Sequence, residues 1–371
     1  APRDDARVRL ILLPRDGPTT KADCLSTLYA AMERDEAARE RLYRFVLLHD
    51  AEDHVHPLAL ELIDERLERA DFVQLPVIPE LNRDSRWISG HYADEFAESH
   101  LKTMVVRDWL RTALPAAGVG CAFRREMLTR IAESRGTPSP FAAECLTEDY
   151  ELGLLVAELG GRSRFVRAID ERGELIATRE FFPATLGAAE RQKARWIHGI
   201  AFQGWERLGW AGNLPETWMR MRDRRGPLTA LVLVAAYLAI VCWGLVQAAV
   251  LAGAVEPRPM SGLLQVAVWL GLLGAVWRLV IRAGFTAAQY GPAEGLRSVL
   301  RAPLANLITI IAARRAMAAY LRTLGGRPAV WDKTLHDRHP SSFPPTPERT
   351  RWRPSGSSAG GSRSCSSLPC W

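Results

Sequence analysis

Three carboxylates follow the strand-like run YRFVLLH, where an open α/β sheet would bind a ligand. They belong to Asp50, Glu52 and Asp53. Carboxylates this close repel one another unless a cation lies among them, and one or two carboxylates together with substrate phosphates are the usual ligands of Mg²⁺ or Mn²⁺. A solvated acidic turn before the next helix would have the same composition. The segment therefore predicts a metal site or an acidic turn without deciding between them.

A second acidic group stands at the start of a helical pattern and consists of Thr147, Glu148 and Asp149. Thr147 could be an ordinary N-cap followed by acids in the first helical turn, which requires no chemistry. Taken alone, this simpler interpretation is favoured.

A third group lies on one face of a predicted helix, because Gln192, Arg195 and Trp196 follow i, i+3, i+4 spacing. A guanidinium can donate paired hydrogen bonds to a pyrophosphate, and an indole offers a flat apolar face to a sugar ring. A helix that packs on its sheet could use the same face, so this signal is also weak by itself.

Taken in order, these groups resemble the membrane-integrated glycosyltransferases of family 2, the group that includes cellulose and chitin synthases. Several segments resemble more specifically the phage-adsorption protein B group of that family. They are GPTTKADCL (17–25), HDAEDHVHP (49–57), AAGVGCAFRRE (116–126), LTEDYELG (146–153), RQKARWIHGIAFQGW (191–205) and VWDKTLHDRHP (330–340). The resemblance covers about residues 7 to 340 and implies inverting transfer from a nucleotide-diphosphate sugar.

The resemblance assigns a role to each acidic residue. Asp50 with Glu52 or Asp53 would bind Mg²⁺ or Mn²⁺ and the nucleotide diphosphate. Asp149, preceded by Glu148, matches the general base that takes the proton of the acceptor hydroxyl.

The resemblance also implies how the donor and acceptor are held. The donor, which we expect to be a UDP-sugar, would contact Lys21, Gln192, Arg195 and Trp196. The glycan acceptor would lie in a cleft lined by Gly120, Cys121 and Trp196.

The alternation of short β-rich runs with helical patterns predicts an α/β fold with parallel strands. The resemblance makes this a GT-A-like nucleotide-sugar-binding sheet, which we expect to lack its first strand. Predicted strands cover 7–14, 43–50, 71–79, 165–169 and 174–180. Predicted helices cover 21–34, 56–70, 87–113, 147–160 and 185–208.

Two apolar runs follow. At 1.5 Å per residue, the uncharged run 228–253 more than covers a hydrocarbon core of about 30 Å. The second run, 260–281, is uncharged for the 18 residues before Arg278, which is close to the lower limit for spanning. They predict a transmembrane helical hairpin. Arginines flank its two ends more densely than its link, which predicts that both ends face the cytoplasm of a bacterial inner membrane. The apolar face of 302–324 fits either a helix at the membrane surface or a soluble packing helix.

These patterns divide the chain into four predicted segments. Residues 1–215 form the cytoplasmic catalytic domain, 216–285 the hairpin, 286–340 a membrane-surface helical segment and 341–371 a disordered tail rich in Ser, Gly and Pro. Members of the group continue at this point into a cytoplasmic domain of the kind that binds cyclic di-GMP. The tail of this chain does not resemble such a domain. We therefore expect the chain to be incomplete at both ends.

The composition and charge of the chain argue against one further class of function, nucleic-acid binding. The net charge of +6 comes from 48 basic and 42 acidic residues, with no basic stretch interleaved with aromatics, so nucleic-acid binding is not expected. One alternative is a non-catalytic membrane component of a glycan-export or phage-receptor complex, with an outer-membrane partner. A glycoside hydrolase using Asp50 and Asp149 is a weaker alternative, because it explains neither the Arg-Trp helix nor the hairpin.

Overall fold

The computed structural model describes residues 8–17, 19–257 and 259–326. Within them the chain forms two compact units. The first unit comprises the residues up to Val77 and Arg107–Thr178, and the second comprises Ile78–Val106 and the residues from Arg179 onwards. The predicted tail at 341–371 and the motif at 330–340 lie outside the described residues.

The elements alternate along the first half of the chain, and helices alone make up the second half. The strands are β1 (Phe45–Leu48), β2 (His54–Val55), β3 (Phe72–Gln74), β4 (Val77–Pro79), β5 (Cys121–Arg124), β6 (Ser163–Phe165) and β7 (Thr178–Glu180). The helices are α1 (Lys21–Arg39), α2 (Ala59–Arg66), α3 (Gly90–Glu98), α4 (Met104–Leu110), α5 (Arg125–Arg135), α6 (Glu148–Glu158), α7 (Leu186–Ile197), α8 (Gly204–Leu208), α9 (Leu214–Arg224), α10 (Gly226–Leu251), α11 (Gly262–Tyr290) and α12 (Pro292–Leu324).

The main sheet of the first unit is mixed, whereas the sequence predicted parallel strands. Its order is β1-β5-β3-β6, and a second sheet has the order β2-β7-β4. Strand β5 runs antiparallel to both neighbours, while β3 and β6 are parallel. The α/β class is confirmed, but β5 enters the sheet between two strands that point the other way. The stacked rings of Phe72 and Phe123, 4.5 Å apart, fix this central pairing.

Four of the predicted strands differ from the structure, and two of them, at 165–169 and 174–180, are replaced by the shorter β6 and β7. Residues 8–14 form no strand, and Leu10 and Leu12 are largely exposed. A strand needs a neighbour for its N–H and C=O groups, and among the described residues none pairs with this run. The predicted strand 71–79 is divided into β3 and β4 around Pro76, which has no N–H to donate to a ladder.

The core of the first unit lies between its sheet and α2. Leu62 and Ile63 of α2 are completely buried against Val73 and Leu75, with Ala122 of β5 in the same cluster. The apolar face of α2 therefore fixes the sheet edge from which the acidic turn after β1 begins.

The second unit contains the predicted long helices, each interrupted by a π-helical turn. Ser99–Thr103 joins α3 to α4, and His198–Gln203 joins α7 to α8. Turns of this kind are rare in proteins, and those that exist often lie at functional sites.

Three helices of the second unit are long and apolar enough to cross a bilayer. Helices α10 and α11 confirm the two predicted apolar runs, although α11 continues to Tyr290. Helix α12 is a third candidate by length and composition, and it begins ten residues before the predicted 302–324. It differs from the other two because one third of its apolar window is buried inside the protein.

Candidate active site

The acidic turn after β1 is held together by Asp53. Its Oδ2 accepts a hydrogen bond from the Asp50 backbone N–H at 2.9 Å and lies 2.9 Å from His49 Nδ1. The Asp53 side chain is buried, and its Oδ1 has no hydrogen-bond partner. Asp53 therefore shapes the turn, whereas Asp50 and Glu52 remain partly exposed at its surface.

Lys21 projects toward this turn from the first position of α1. Thr20 caps that helix by accepting a hydrogen bond from Asp23 N–H at 3.1 Å, which sets where the helix begins. Lys21 Nζ lies 2.6 Å from Asp50 Oδ1 and 3.4 Å from the Gly118 carbonyl oxygen. Two segments that are distant in sequence thus meet at one ammonium group.

The electrostatics of the site keep Lys21 charged. Burial alone would lower the pKa of Lys21, but attraction to Asp50, Asp149 and Glu148 outweighs burial and raises the pKa above its usual value. The Lys21 side chain therefore stays protonated and positively charged beside Asp50 at neutral pH.

Gly118 leaves the space into which the Asp149 carboxylate extends. Its φ of +81° lies in the left-handed region, and a Cβ on Gly118 would lie 2.5 Å from Asp149 Oδ2 and 3.4 Å from Lys21 Nζ. Asp149 is the second residue of α6, where the positive end of the helix dipole favours a carboxylate. The structure thus brings Lys21, Asp50 and Asp149 together around one glycine.

The ordinary cap interpretation of Thr147 does not describe this helix. Thr147 occupies the N-cap position, but its side chain makes no capping hydrogen bond, and its Oγ1 is buried without a hydrogen-bond partner. Glu148 is also buried. Asp149 Oδ1 accepts the Tyr150 backbone N–H at 2.8 Å, so this carboxylate is held at the start of α6 without a cap from Thr147.

Gly120 and Cys121 lie where β5 begins. A Cβ on Gly120 would lie 2.4 Å from Thr178 Oγ1, so close packing requires this glycine. The Cys121 side chain is completely buried, and burial raises the pKa of its thiol. Both residues pack inside the first unit, and their contact with an acceptor stays a prediction.

The predicted Gln-x-x-Arg-Trp group lies on α7 in the second unit. Gln192 is buried, and its Oε1 has no hydrogen-bond partner. Trp196 packs within a cluster of aromatic rings, with Tyr92 at 5.9 Å and Phe182 at 6.4 Å between ring centroids, each edge-on. Arg195 on the same helix is half-buried. The indole therefore has a structural role in addition to any contact with a sugar.

Sequence reasoning missed the ion pair beside this group. Lys193 Nζ lies 2.6 and 2.7 Å from the two carboxylate oxygens of Glu95. Burial would raise the pKa of Glu95, but attraction to Lys193 lowers it to about 2. The partners are 98 residues apart, so no local spacing could reveal the pair.

Among the described residues, one group in the first unit brings its ligand atoms close enough together for a metal ion, and it was not predicted. It consists of His56, Asp170 and Glu174, whose ligand atoms lie within 4.8 Å of one another. Asp170 Oδ1 also accepts the Glu174 N–H at 2.8 Å. At the acidic turn the Lys21 ammonium lies against Asp50 and the buried Asp53 Oδ1 lacks a hydrogen-bond partner, and a metal held there by Asp50, Glu52 or Asp53 stays a prediction.

Comparison with known proteins shows the family to which the chain belongs. Residues 45–280 match the family described as Glycosyl transferase family group 2, and the chain belongs to that family. It is 35% identical over 358 residues to the Bacteriophage adsorption protein B of Escherichia coli (strain K12) and to the Bacteriophage N4 adsorption protein B of Escherichia coli O157:H7. Each alignment covers 89% of this chain and 47% of the relative, so the chain spans about half the length of the curated relatives it matches.

Proposed function

We propose that this chain carries the catalytic site of a membrane-bound, inverting glycosyltransferase that uses a nucleotide-diphosphate sugar. The observation that carries the proposal is the convergence of Lys21, Asp50 and Asp149 around Gly118. A transferase of this kind needs a cation where the diphosphate leaves and a carboxylate where the acceptor attacks. Lys21 and Asp149, which lie in one unit of the fold, are proposed to supply this cation and this carboxylate.

The proposed reaction is a single displacement. The acceptor hydroxyl gives its proton to Asp149 while its oxygen bonds to the anomeric carbon and the bond to the nucleoside diphosphate breaks. The Lys21 ammonium stabilises the negative charge of the departing diphosphate, an effect worth about 3–4 kcal/mol for a well-placed group. Because attack and departure occur on opposite faces of the carbon, the anomeric configuration inverts.

Asp50, with Glu52 or Asp53, would hold Mg²⁺ or Mn²⁺. A divalent ion bound there would act as a Lewis acid on the diphosphate oxygens. Asp53 itself keeps the turn closed through the Asp50 N–H and His49. Glu148 would support Asp149 at the start of α6, and Gln192, Arg195 and Trp196 would complete the donor and acceptor contacts.

The location proposed for this reaction is the cytoplasmic face of a bacterial inner membrane, where nucleotide sugars are available. The product would be an envelope or secreted glycan. The proposal includes an outer-membrane partner, either an export component or a phage receptor. A non-catalytic component of the same kind of complex is the alternative.

The test is turnover by the full chain in lipid nanodiscs supplied with MnCl₂ and, in separate reactions, UDP-glucose, UDP-galactose or UDP-N-acetylglucosamine. The proposal expects saturable binding of at least one donor and release of UDP that increases when membrane glycan is added. Donor binding without UDP release would instead support the non-catalytic alternative. The absence of both binding and release would overturn the transferase assignment.

A further inference from the structure

Helix α9 exposes an apolar face. Leu214, Trp218 and Met221 are 85%, 54% and 45% exposed. Their spacing of four and three residues places them within an arc of about 60°, at 100° per residue. A helix that faced water with this side would expose its most apolar surface.

The opposite face of α9 is charged and buried. Glu216 and Arg220 form an ion pair at 3.1 Å, and Arg220 also donates to the Leu208 carbonyl oxygen at 2.8 Å. Arg224 donates to the carbonyl oxygens of Gly204 at 2.8 Å and Gly209 at 2.6 Å. The arginines are thus used to satisfy the end of α8, and the normal orientation of an amphipathic helix is reversed.

Two further indoles extend this apolar surface. Trp205 on α8 and Trp210 in the following loop are 56% and 50% exposed, and their ring centroids lie 6.2 Å apart. The Arg224 guanidinium carbon lies 4.9 Å from the Trp210 ring centroid, which holds that ring beside the buried face of α9. We call Leu214, Trp218, Met221, Trp205 and Trp210 the α9 surface.

The position of the α9 surface indicates what covers it. Helix α9 ends at Arg224 and the apolar helix α10 begins at Gly226, so the single residue Arg225 separates the surface from a candidate membrane span. Arg225 is exposed. Indoles prefer the boundary between hydrocarbon and water, and a neighbouring arginine can bind lipid phosphates.

We propose that the α9 surface is a membrane-docking site that inserts into the phospholipid headgroup region where α10 enters the bilayer. The reversed faces of α9 then place apolar side chains in lipid and charged side chains in protein. This inference does not depend on the proposed transfer reaction, since it concerns only how the second unit contacts the bilayer.

The experiment measures the depth of spin labels on the full chain in nanodiscs of phosphatidylethanolamine and phosphatidylglycerol. Labels are attached at Trp218→Cys and Met221→Cys in a background whose native cysteines are replaced by alanine. Arg207→Cys is the matched control, because Arg207 is exposed on α8 two residues from Trp205 and therefore on the other side of that helix. We expect oxygen to relax the labels at 218 and 221 several-fold more than a water-soluble nickel chelate does, with the order reversed at 207.

Two results would overturn the docking site. One is equal access of the nickel chelate to positions 218 and 207, which would place the surface in water. The other is spin–spin broadening between copies at 218, which would assign the surface to a second copy of the chain.

A second measurement avoids the cysteine substitutions. Lipids with brominated acyl chains should quench the wild-type chain more than they quench Trp218→Phe, with unbrominated lipids as the reference. Equal quenching of both chains would also contradict the proposal.

Discussion

The two units use ion pairs in opposite ways. In the first unit, the Lys21 and Asp50 side chains that meet at 2.6 Å remain 23% and 36% exposed. In the second unit, Arg301 and Asp94 are 1% and 0% exposed, and Arg301 Nε donates to Asp94 at 2.9 Å. The Lys21–Asp50 pair is therefore accessible to a ligand, whereas the Arg301–Asp94 pair is not. We call the first pair open and the second closed.

The closed pair connects helices that are distant in sequence. Arg301 on α12 also donates to Glu294 at 2.8 Å, and its partner Asp94 lies on α3, 207 residues earlier. A Cβ on Gly90 would lie 2.8 Å from the Arg301 guanidinium, so α3 approaches the arginine as closely as a glycine permits. Every charge there has a protein partner. The proposed chemistry therefore belongs to the open cluster, Lys21, Asp50 and Asp149, whereas the closed pair, Arg301 and Asp94, supports the structure.

The largest expected effect breaks the open cluster at its proposed base. Asp149→Asn should lower turnover by about 10²- to 10⁴-fold, because general-base help contributes that much, while donor binding survives. UDP release and donor binding by calorimetry measure the two parts. Glu158→Gln at the other end of α6 is the matched control and should retain activity. Turnover of Asp149→Asn close to that of the control would remove Asp149 from the mechanism.

The next effect breaks the closed pair. Arg301→Met leaves the Asp94 carboxylate buried without its bidentate partner, which should cost about 3–5 kcal/mol of stability. Thermal unfolding in detergent measures the loss. Arg297→Met is the control, because Arg297 is 42% exposed beside Glu294 and its loss should cost about 0–1 kcal/mol. Equal melting temperatures for the two variants would contradict the structural role of Arg301.

The second unit also buries a histidine, which should make the stability of the chain depend on pH. Burial and the neighbouring Lys193 lower the pKa of His91 to about 3, so the folded chain holds this imidazole neutral. In the unfolded chain the pKa of His91 is about 6.5. Between pH 6.5 and pH 3 the unfolded state therefore binds more protons than the folded state, so the free energy of unfolding falls as the pH falls. From pH 7.5 to 5.0 the expected loss is about 2 kcal/mol.

Thermal melts of the wild type and His91→Gln at these two pH values test the assignment. Glu95 does not interfere, because its lowered pKa affects stability only below its usual value near 4.5. The slope should be smaller in His91→Gln, and an unchanged slope would assign the pH dependence to other groups.

The smallest effect tests how tightly the open cluster is packed. Gly118→Ala adds a Cβ 2.5 Å from Asp149 Oδ2 and should lower turnover by about tenfold as the carboxylate is displaced. Gly160→Ala is the control, because Gly160 has a similar φ of +75° with no atom near its Cβ position. Both variants share the backbone strain of about 1–2 kcal/mol, so only the difference in turnover reports on Asp149. Equal activities would show that the carboxylate tolerates the methyl group.

Part of the site could be read from the sequence because its motifs are local. The acids at 50–53 and 147–149 stand directly after or before regular elements, so their positions follow from hydrophobic periodicity. Their convergence with Lys21 was available only through the family resemblance, since Lys21 and Gly118 are 97 residues apart. The strand predicted at 7–14 was wrong because periodicity reports an apolar pattern and not the presence of a pairing partner.

The sequence by itself determined the α/β class, the order of the chemical motifs and two of the long apolar helices, because these depend on local spacing and on length. Only the tertiary structure decided which charges are open and which are closed. It paired Asp94 with Arg301, bound the Asp53 carboxylate to the backbone of the acidic turn and left the apolar side of α9 exposed. Such outcomes depend on which surfaces meet, and the burial and Coulomb energies that select them arise only when distant segments are in contact.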